Sequence, residues 1–261
     1  MNIVIVVQAR LGSSRLPGKV LLPAAGRPLL AHMLTRVRAA QLAERVVVAT
    51  TTDATDAPIV ALCEQLEVEY YRGHPQDCLD RHLQVGLHCG ADAVVKIPSD
   101  CPLIDPAVID RVIGRFLAAD GGYDYVSNLH PASWPDGQDV EVIALSALAR
   151  AARETQDPFD REHTTPFLWQ NPQRFRLHNV PWETGLDYSE SVRLVVDWLE
   201  DYRVVRAVLE ALLPTHGPLF ELRAVLSLLA QRPALARENA HHRGYSYFAA
   251  RTQTVTKENR A

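Results

Sequence analysis

Two observations predict an α/β fold with a largely parallel sheet covered on both faces. Over roughly the first half of the chain, apolar β-branched runs of about five residues alternate with segments of about ten to fifteen whose apolar positions recur at helical spacing. Such alternation makes βαβ units, and the runs lack the polar alternation of a half-exposed strand because both faces are buried. The second observation is that charged groups collect in the loops following the runs, where ligands of parallel sheets sit.

Residues 3–7, Ile3-Val4-Ile5-Val6-Val7, are the first buried strand. The loop after it reads Gln8-Ala9-Arg10-Leu11-Gly12-Ser13-Ser14-Arg15-Leu16-Pro17-Gly18-Lys19. It holds three cations, Arg10, Arg15 and Lys19, and the first acidic residue of the whole chain is Glu44. Glycines that admit close backbone approach, free N–H groups and clustered cations suit a polyphosphate. The loop is not a P-loop. Five residues separate Gly12 from Gly18, Val20 follows Lys19 where a metal-binding hydroxyl belongs, and Pro17 removes an N–H. An ordinary basic surface turn is the other reading of the same residues.

Residues 28–40 place Leu29, Leu30, Met33, Leu34 and Val37 on one helical face, with Pro28 in the first turn. A second strand, 45–50, ends in Thr50-Thr51-Thr52-Asp53, and Asp56 and Pro58 open a helix to about Leu66. A third strand at 68–71, a helix at 76–89 and a fourth strand at 93–97 follow, and then Pro98-Ser99-Asp100-Cys101-Pro102-Leu103-Ile104-Asp105-Pro106. The carboxyl-end rule gathers three loops, 8–19, 50–53 and 98–105, around one crevice. Cations of the first then face carboxylates of the third. Asp100 suits a hard divalent ion bridging protein and phosphate, or else a helix N-cap. Asp105, beside Pro106, is the better cap for the helix at 108–119.

The pattern then changes. Strands are expected at 123–127, 140–145 and 175–180, a helix at 146–154 and a short one ending at Trp169. The irregular loop 128–139 opens an arm of about 128–180 that covers the crevice or makes a dimer contact. A strand at 193–197 ends in Asp197, read as a second metal ligand or as the N-cap of a helix at 198–212. A further helix spans 221–229, and beyond Arg232-Pro233 the chain turns polar without periodicity.

Composition narrows the function. With 47% hydrophobic and 22% charged residues over 261, the chain can bury a sizeable core. A net charge of −4 and a pI near 6.2 argue against nucleic-acid binding. Cys63, Cys78, Cys89 and Cys101 form no Cys-x-x-Cys pair and are expected as reduced, buried thiols. No run approaches the ~20 apolar residues that cross a bilayer, and the N-terminus enters its first strand without a leader, so the cytoplasm is the expected address. Ser13 and Ser14 lack a nucleophile-elbow context, the adjacent His241 and His242 are not expected to project onto one metal, and the four tryptophans are too scattered for a base-stacking platform.

Several segments together resemble a known family: residues 8–19, Asp80-Arg81, Asp100-Cys101-Pro102-Leu103-Ile104-Asp105, Pro135-Asp136-Gly137-Gln138-Asp139-Val140-Glu141, Arg161-Glu162-His163-Thr164-Thr165-Pro166, the segment ending at Asp197 and, weakly, Gly244-Tyr245. The chain resembles the cytidylyltransferases of the spore coat polysaccharide (SpsF-like) branch, related to enzymes that make cytidine monophosphate esters of acylneuraminate and 3-deoxy-manno-octulosonate. The resemblance implies a three-layer α/β/α nucleotide-diphospho-sugar transferase (Rossmann-like) fold with a mixed, mainly parallel sheet. It implies a nucleotidyltransferase domain over 1–213 and a C-terminal helical extension with a polar tail over 214–261. The implied reaction moves CMP from CTP to an acidic sugar or related phosphate or phosphonate and releases pyrophosphate.

Carried over by position, Arg10, Lys19 and Asp100 are the catalytic residues. Gln8, Ala9, Arg10, Leu11, Gly12, Arg15, Lys19, Asp80, Arg81 and Ser99 would bind the nucleotide, Asp139, Glu141, Arg161 and His163 the acceptor, and Asp100 and Asp197 a Mg²⁺ or Mn²⁺ ion. Leu194 and Val195 replace an aromatic and a threonine common in the family, and Pro98-Ser99 a less rigid pair; neither change removes a charge. Two alternatives remain on the same fold: a glycosyltransferase using a nucleotide-sugar, and a non-catalytic nucleotide-binding protein. The first more typically carries an Asp-x-Asp pair, absent at Asp100-Cys101-Pro102; the second should lack one of Arg10, Lys19, Asp100 or Asp197.

Overall fold

The computed structural model describes residues 1–182 and 185–244. Tyr245, which the resemblance touches, and most of the polar tail lie outside the described residues. Four parallel strands carry the first half: β1 (Ile3–Gln8), β4 (Arg45–Thr51), β5 (Glu69–Gly73) and β6 (Ala93–Pro98). A two-residue ribbon, β2 (Pro23–Ala24) and β3 (Arg27–Pro28), stands apart. With β7 (Tyr125–Ser127), β8 (Glu141–Ala144) and β9 (Leu177–Asn179) the order is β5-β4-β1-β6-β8-β7-β9. Among the described residues only β8 runs against its neighbours, so the sheet is mixed and mainly parallel.

Helices cover both faces, as continuous apolar strands require. On one face lie α1 (Leu29–Val37), α2 (Ala57–Gln65), α4 (Pro106–Leu117), α8 (Leu199–His216) and α9 (Leu222–Gln231), joined through Met33, Ile59, Val112, Val205 and Val225. On the other lie α3 (Cys78–His88), α5 (Leu145–Glu154) and α7 (Pro166–Trp169), packed through Leu79, Leu148 and Leu168. Residues 128–180 are only partly an arm. They give β8 and β9 to the sheet, while the 128–139 loop, α6 (Pro158–His163) and α7 wall the space above β6 and β8.

Asp105 caps α4, accepting from the Ala107 N–H at 2.9 Å, and also holds the first residue of α9 through the Leu222 N–H at 2.6 Å. The expected strand at 193–197 is corrected: among the described residues it pairs with no strand. It runs extended between two loops, with the Leu194 N–H on the Asp136 carbonyl at 2.7 Å and the Val196 N–H on the Asp100 carbonyl at 2.8 Å. Gly137 permits that approach, since at φ +100 a Cβ there would stand 2.7 Å from backbone atoms of Leu194 and Val195. Asp197 does not cap α8 either. Trp198 is the N-cap, and Asp201 accepts from the N–H groups of Asp197 and Trp198, both at 3.0 Å.

Past residue 232, where no periodicity was expected, α10 (Pro233–Arg237) and a single 3₁₀ turn, Ala240–His242, follow. The buried Asn239 ties this segment down through the Arg193 carbonyl at 3.1 Å and Asp201 Oδ1 at 2.9 Å.

Candidate active site

A cleft of about 790 Å³ opens at the carboxyl ends of β1 and β6. The β1 loop and the β6 loop meet there as the topology rule requires. The β4 loop, 50–53, does not reach the walls, because the cleft lies on the β6 and β8 side of β1. It acts indirectly: Asp56, just beyond it, accepts the Leu11 N–H at 2.7 Å and ties the β1 loop in place.

The centre is an ion cluster. Lys19 Nζ donates to Asp100 Oδ2 and to Asp197 Oδ1, both at 2.9 Å, and Arg15 also binds Asp197 Oδ1. Behind them the buried Arg193 donates to Asp197 Oδ2 at 2.9 Å, Asp136 at 2.7 Å and Asp201 at 3.0 Å. Burial works against the Lys19 charge, but the two carboxylates outweigh it and raise its pKa. Burial likewise opposes ionisation of Asp197, and Lys19, Arg15 and Arg193 overcome it. Asp136 is pushed well up by burial and by Asp139, and Asp139 to about 7 by burial and Asp100. Two carboxylates converging on one cationic point form an all-oxygen donor set that fits a hard divalent ion.

Gln8, Ala9, Arg10, Gly12, Arg15, Lys19, Arg81 and Ser99 line the cleft with Asp100, Asp139, Glu141, His163 and Asp197. Gln8 Oε1 accepts from the Cys78 thiol at 3.2 Å, and Arg81 is turned to the carbonyls of His74 and Pro75. Burial raises the Cys78 pKa, but His82 and then Arg81 bring it down to about 6. The four cysteines are free and buried.

Three expected site residues are placed elsewhere. Leu11 turns its side chain toward the core, Asp80 accepts from Gln84 at 3.0 Å on α3, and Arg161 spends its guanidinium on Asp77 at 2.7 Å and on the Ala152 and Thr155 carbonyls. Arg161 therefore joins α6 to α3 and α5 and does not line the cleft. His241 and His242 also depart from expectation, since their ligand atoms and that of Glu200 lie within 4.8 Å of one another.

Sequence reasoning gave no role to Arg193, Asp136 or Lys96, all of which line the cleft. A lone cation in the apolar run Ala93-Val94-Val95-Lys96-Ile97 was the available signal for Lys96.

The family profile described as Cytidylyltransferase matches residues 4–226, most of the chain. The chain belongs to the cytidylyltransferase family. Among relatives of this cytidylyltransferase, an uncharacterized protein of Methanocaldococcus jannaschii is 32% identical, over 95% of this chain and 98% of that one. The spore coat polysaccharide biosynthesis protein SpsF of Bacillus subtilis is 27% identical, over 91% and 98%. A solved cytidylyltransferase from Leptospira borgpetersenii superposes with a TM-score of 0.85 at 28% identity, covering 90% of this chain and 97% of that one. The cytidylyltransferase is a CTP-dependent nucleotidyltransferase on the nucleotide-diphospho-sugar transferase fold. None of the described helices is long and apolar enough to cross a membrane.

Proposed function

We propose that this cytidylyltransferase moves CMP from CTP to a small acidic acceptor, a sugar acid or a related phosphate or phosphonate, in the building of a surface polysaccharide or glycoconjugate. The observation that carries the reading is Lys19 at 2.9 Å from both Asp100 and Asp197, which joins the cationic β1 loop to a pair of carboxylates in one cleft. Similarity to a spore coat polysaccharide protein supports the setting.

The acceptor oxygen attacks the α-phosphorus in line; the new O–P bond forms as the bridging bond to pyrophosphate breaks. Arg10, Arg15, Lys19 and the N–H groups of the β1 loop bind the triphosphate and stabilise the charge growing on it. Asp100 and Asp197 would hold Mg²⁺ or Mn²⁺, which neutralises charge on the phosphates when bound. Asp139 lines the same cleft, and burial and Asp100 hold its carboxyl up at about 7, the range that suits a base for the proton of the acceptor hydroxyl.

Pyrophosphate release from each of the four nucleoside triphosphates, with Mg²⁺ and a panel of ulosonic acids, sugar phosphates and phosphonates, tests the reaction. Release with CTP alone, dependent on one acceptor, is expected. Asp100→Asn should abolish metal-dependent release while leaving the fold, and retained turnover would remove Asp100 from the metal site.

A further inference from the structure

Away from the ion cluster, three buried side chains on adjacent strands cross the other end of the cleft. Lys96 on β6 stands opposite Glu141 on β8 in register and donates to its Oε1, and Tyr125 on β7 donates its hydroxyl to Oε2 at 2.6 Å. They are 7%, 2% and 1% exposed, and both charged groups open onto the cleft. A buried ion pair stabilises a fold little better than apolar residues of the same size. Neighbouring strand positions Val94, Val95, Ile97 and Ile143 are apolar. The pair is therefore better explained by what it presents to a ligand.

An ammonium has three N–H donors, and Lys96 spends one on Glu141; the Glu141 carboxylate meets Lys96, Tyr125 and Thr165, and of its about four acceptor sites at least one is left for a ligand. Donors and acceptors thus stand side by side with no net charge. Burial, then Lys96, depress His163 to about 4, so its ring is neutral here, and Arg10 is paired with Glu162 at 2.8 Å. The cations Arg15, Lys19 and Arg193 gather instead around Asp197. A carboxylate entering the Lys96 end would meet Glu141 and Asp139. A hydroxyl would meet a donor and an acceptor together. Trp169 and His130, stacked with centroids 4.6 Å apart, add a flat wall suited to the C–H face of a sugar.

We propose that Lys96 and Glu141, braced by Tyr125, form a neutral subsite that reads vicinal hydroxyls on a polyol portion of the acceptor, leaving its acidic end toward the nucleotide. Lys96 and Glu141 then determine specificity, and Tyr125 is a positioning residue acting through Glu141. The inference rests on the cytidylyltransfer reading and assigns the part of the acceptor that this end selects.

The test is calorimetric binding to the protein loaded with Mg²⁺ and a CTP analogue carrying a methylene between the α and β phosphorus, which cannot transfer. Probes are 3-deoxy-manno-octulosonate and N-acetylneuraminate, which carry polyol portions, and lactate, a hydroxy acid without one. Wild type should prefer at least one polyol acid to lactate by about tenfold or more. The Lys96→Met/Glu141→Gln double variant leaves neither charge unpaired, and in it the preference should shrink to about twofold. Glu141→Gln alone gives the same readout if the double variant does not fold. No preference in wild type, or a preference that survives the substitutions, overturns the subsite. Failure of wild type to bind the analogue is a separate result, and it overturns cytidylyltransfer itself.

Discussion

Lys19 occupies the point where Asp100 and Asp197 converge, so Lys19→Met should act in opposite directions on stability and on metal binding. Its Nζ lies 2.9 Å from each carboxylate and its side chain is 10% exposed. A hydrogen bond to a charged group is worth about 1.5–3 kcal/mol. Asp197 keeps Arg15 and Arg193, so the loss falls mainly on Asp100, and about 2–4 kcal/mol is expected in total. For a chain of this size that lowers Tm by about 5–15 °C in a chelator. Millimolar Mg²⁺ should then raise the Tm of the variant more than that of wild type, because the ion fills the place of the ammonium. Turnover should nevertheless fall by about 10²–10³, since a donor to the triphosphate is gone. Scanning calorimetry with and without Mg²⁺ decides it. A variant as stable as wild type in chelator, or no more responsive to Mg²⁺, would refute the reasoning.

Two further substitutions probe the walls of the cleft. Burial, reinforced by Lys96, holds His163 at about 4 against an ordinary 6.5, so the folded state binds its proton more weakly than the unfolded chain. The stability that depends on a neutral ring is complete above about pH 6.5 and is lost as pH falls through about 4, a change of about 2–3 kcal/mol. Urea titrations near pH 7 and near pH 4 should show His163→Gln losing less stability on acidification than wild type. Gly137→Ala puts a Cβ 2.7 Å from the backbone of Leu194 and Val195, atoms that cannot swing aside. It should cost about 2–4 kcal/mol and reduce turnover by displacing Asp197, whereas an unchanged urea midpoint would show that 193–197 yields freely.

Strands β1, β4 and β6 were legible because each is largely buried on both faces, a pattern that a parallel sheet imposes directly on sequence, whereas the edge strand β5 is mostly exposed and showed itself through its place between two helices. The β1 loop was legible for a different reason: three cations with no acid nearby need a partner, and the strand ends say where it lies. Residues 193–197 misled because apolarity reports burial, not pairing, and Leu194, Val195 and Val196 are buried without a ladder. The β4 loop was drawn into the site because the carboxyl-end rule does not tell which flank of β1 holds the crevice. That depends on β8 inserting beside β6, a long-range event. Arg161 looked like a ligand because its saturation by carbonyls of Ala152 and Thr155 exists only in three dimensions. The polar composition after residue 232 likewise concealed Asn239, a single buried amide that anchors a segment.

Arg15 and Lys19 reach Asp197 across 182 and 178 residues of chain. A ribosome thus makes the cationic loop almost first and its main counter-charge late. Asp197 is in turn fixed by Arg193 and Asp201, and both are clasped by Asn239, made some forty residues later. During synthesis the central strands can pair while the loop remains an open basic arm, exposed to any polyanion in the surroundings. During synthesis the ion cluster therefore cannot close as it stands in the folded protein until the chain has been made at least as far as Asn239.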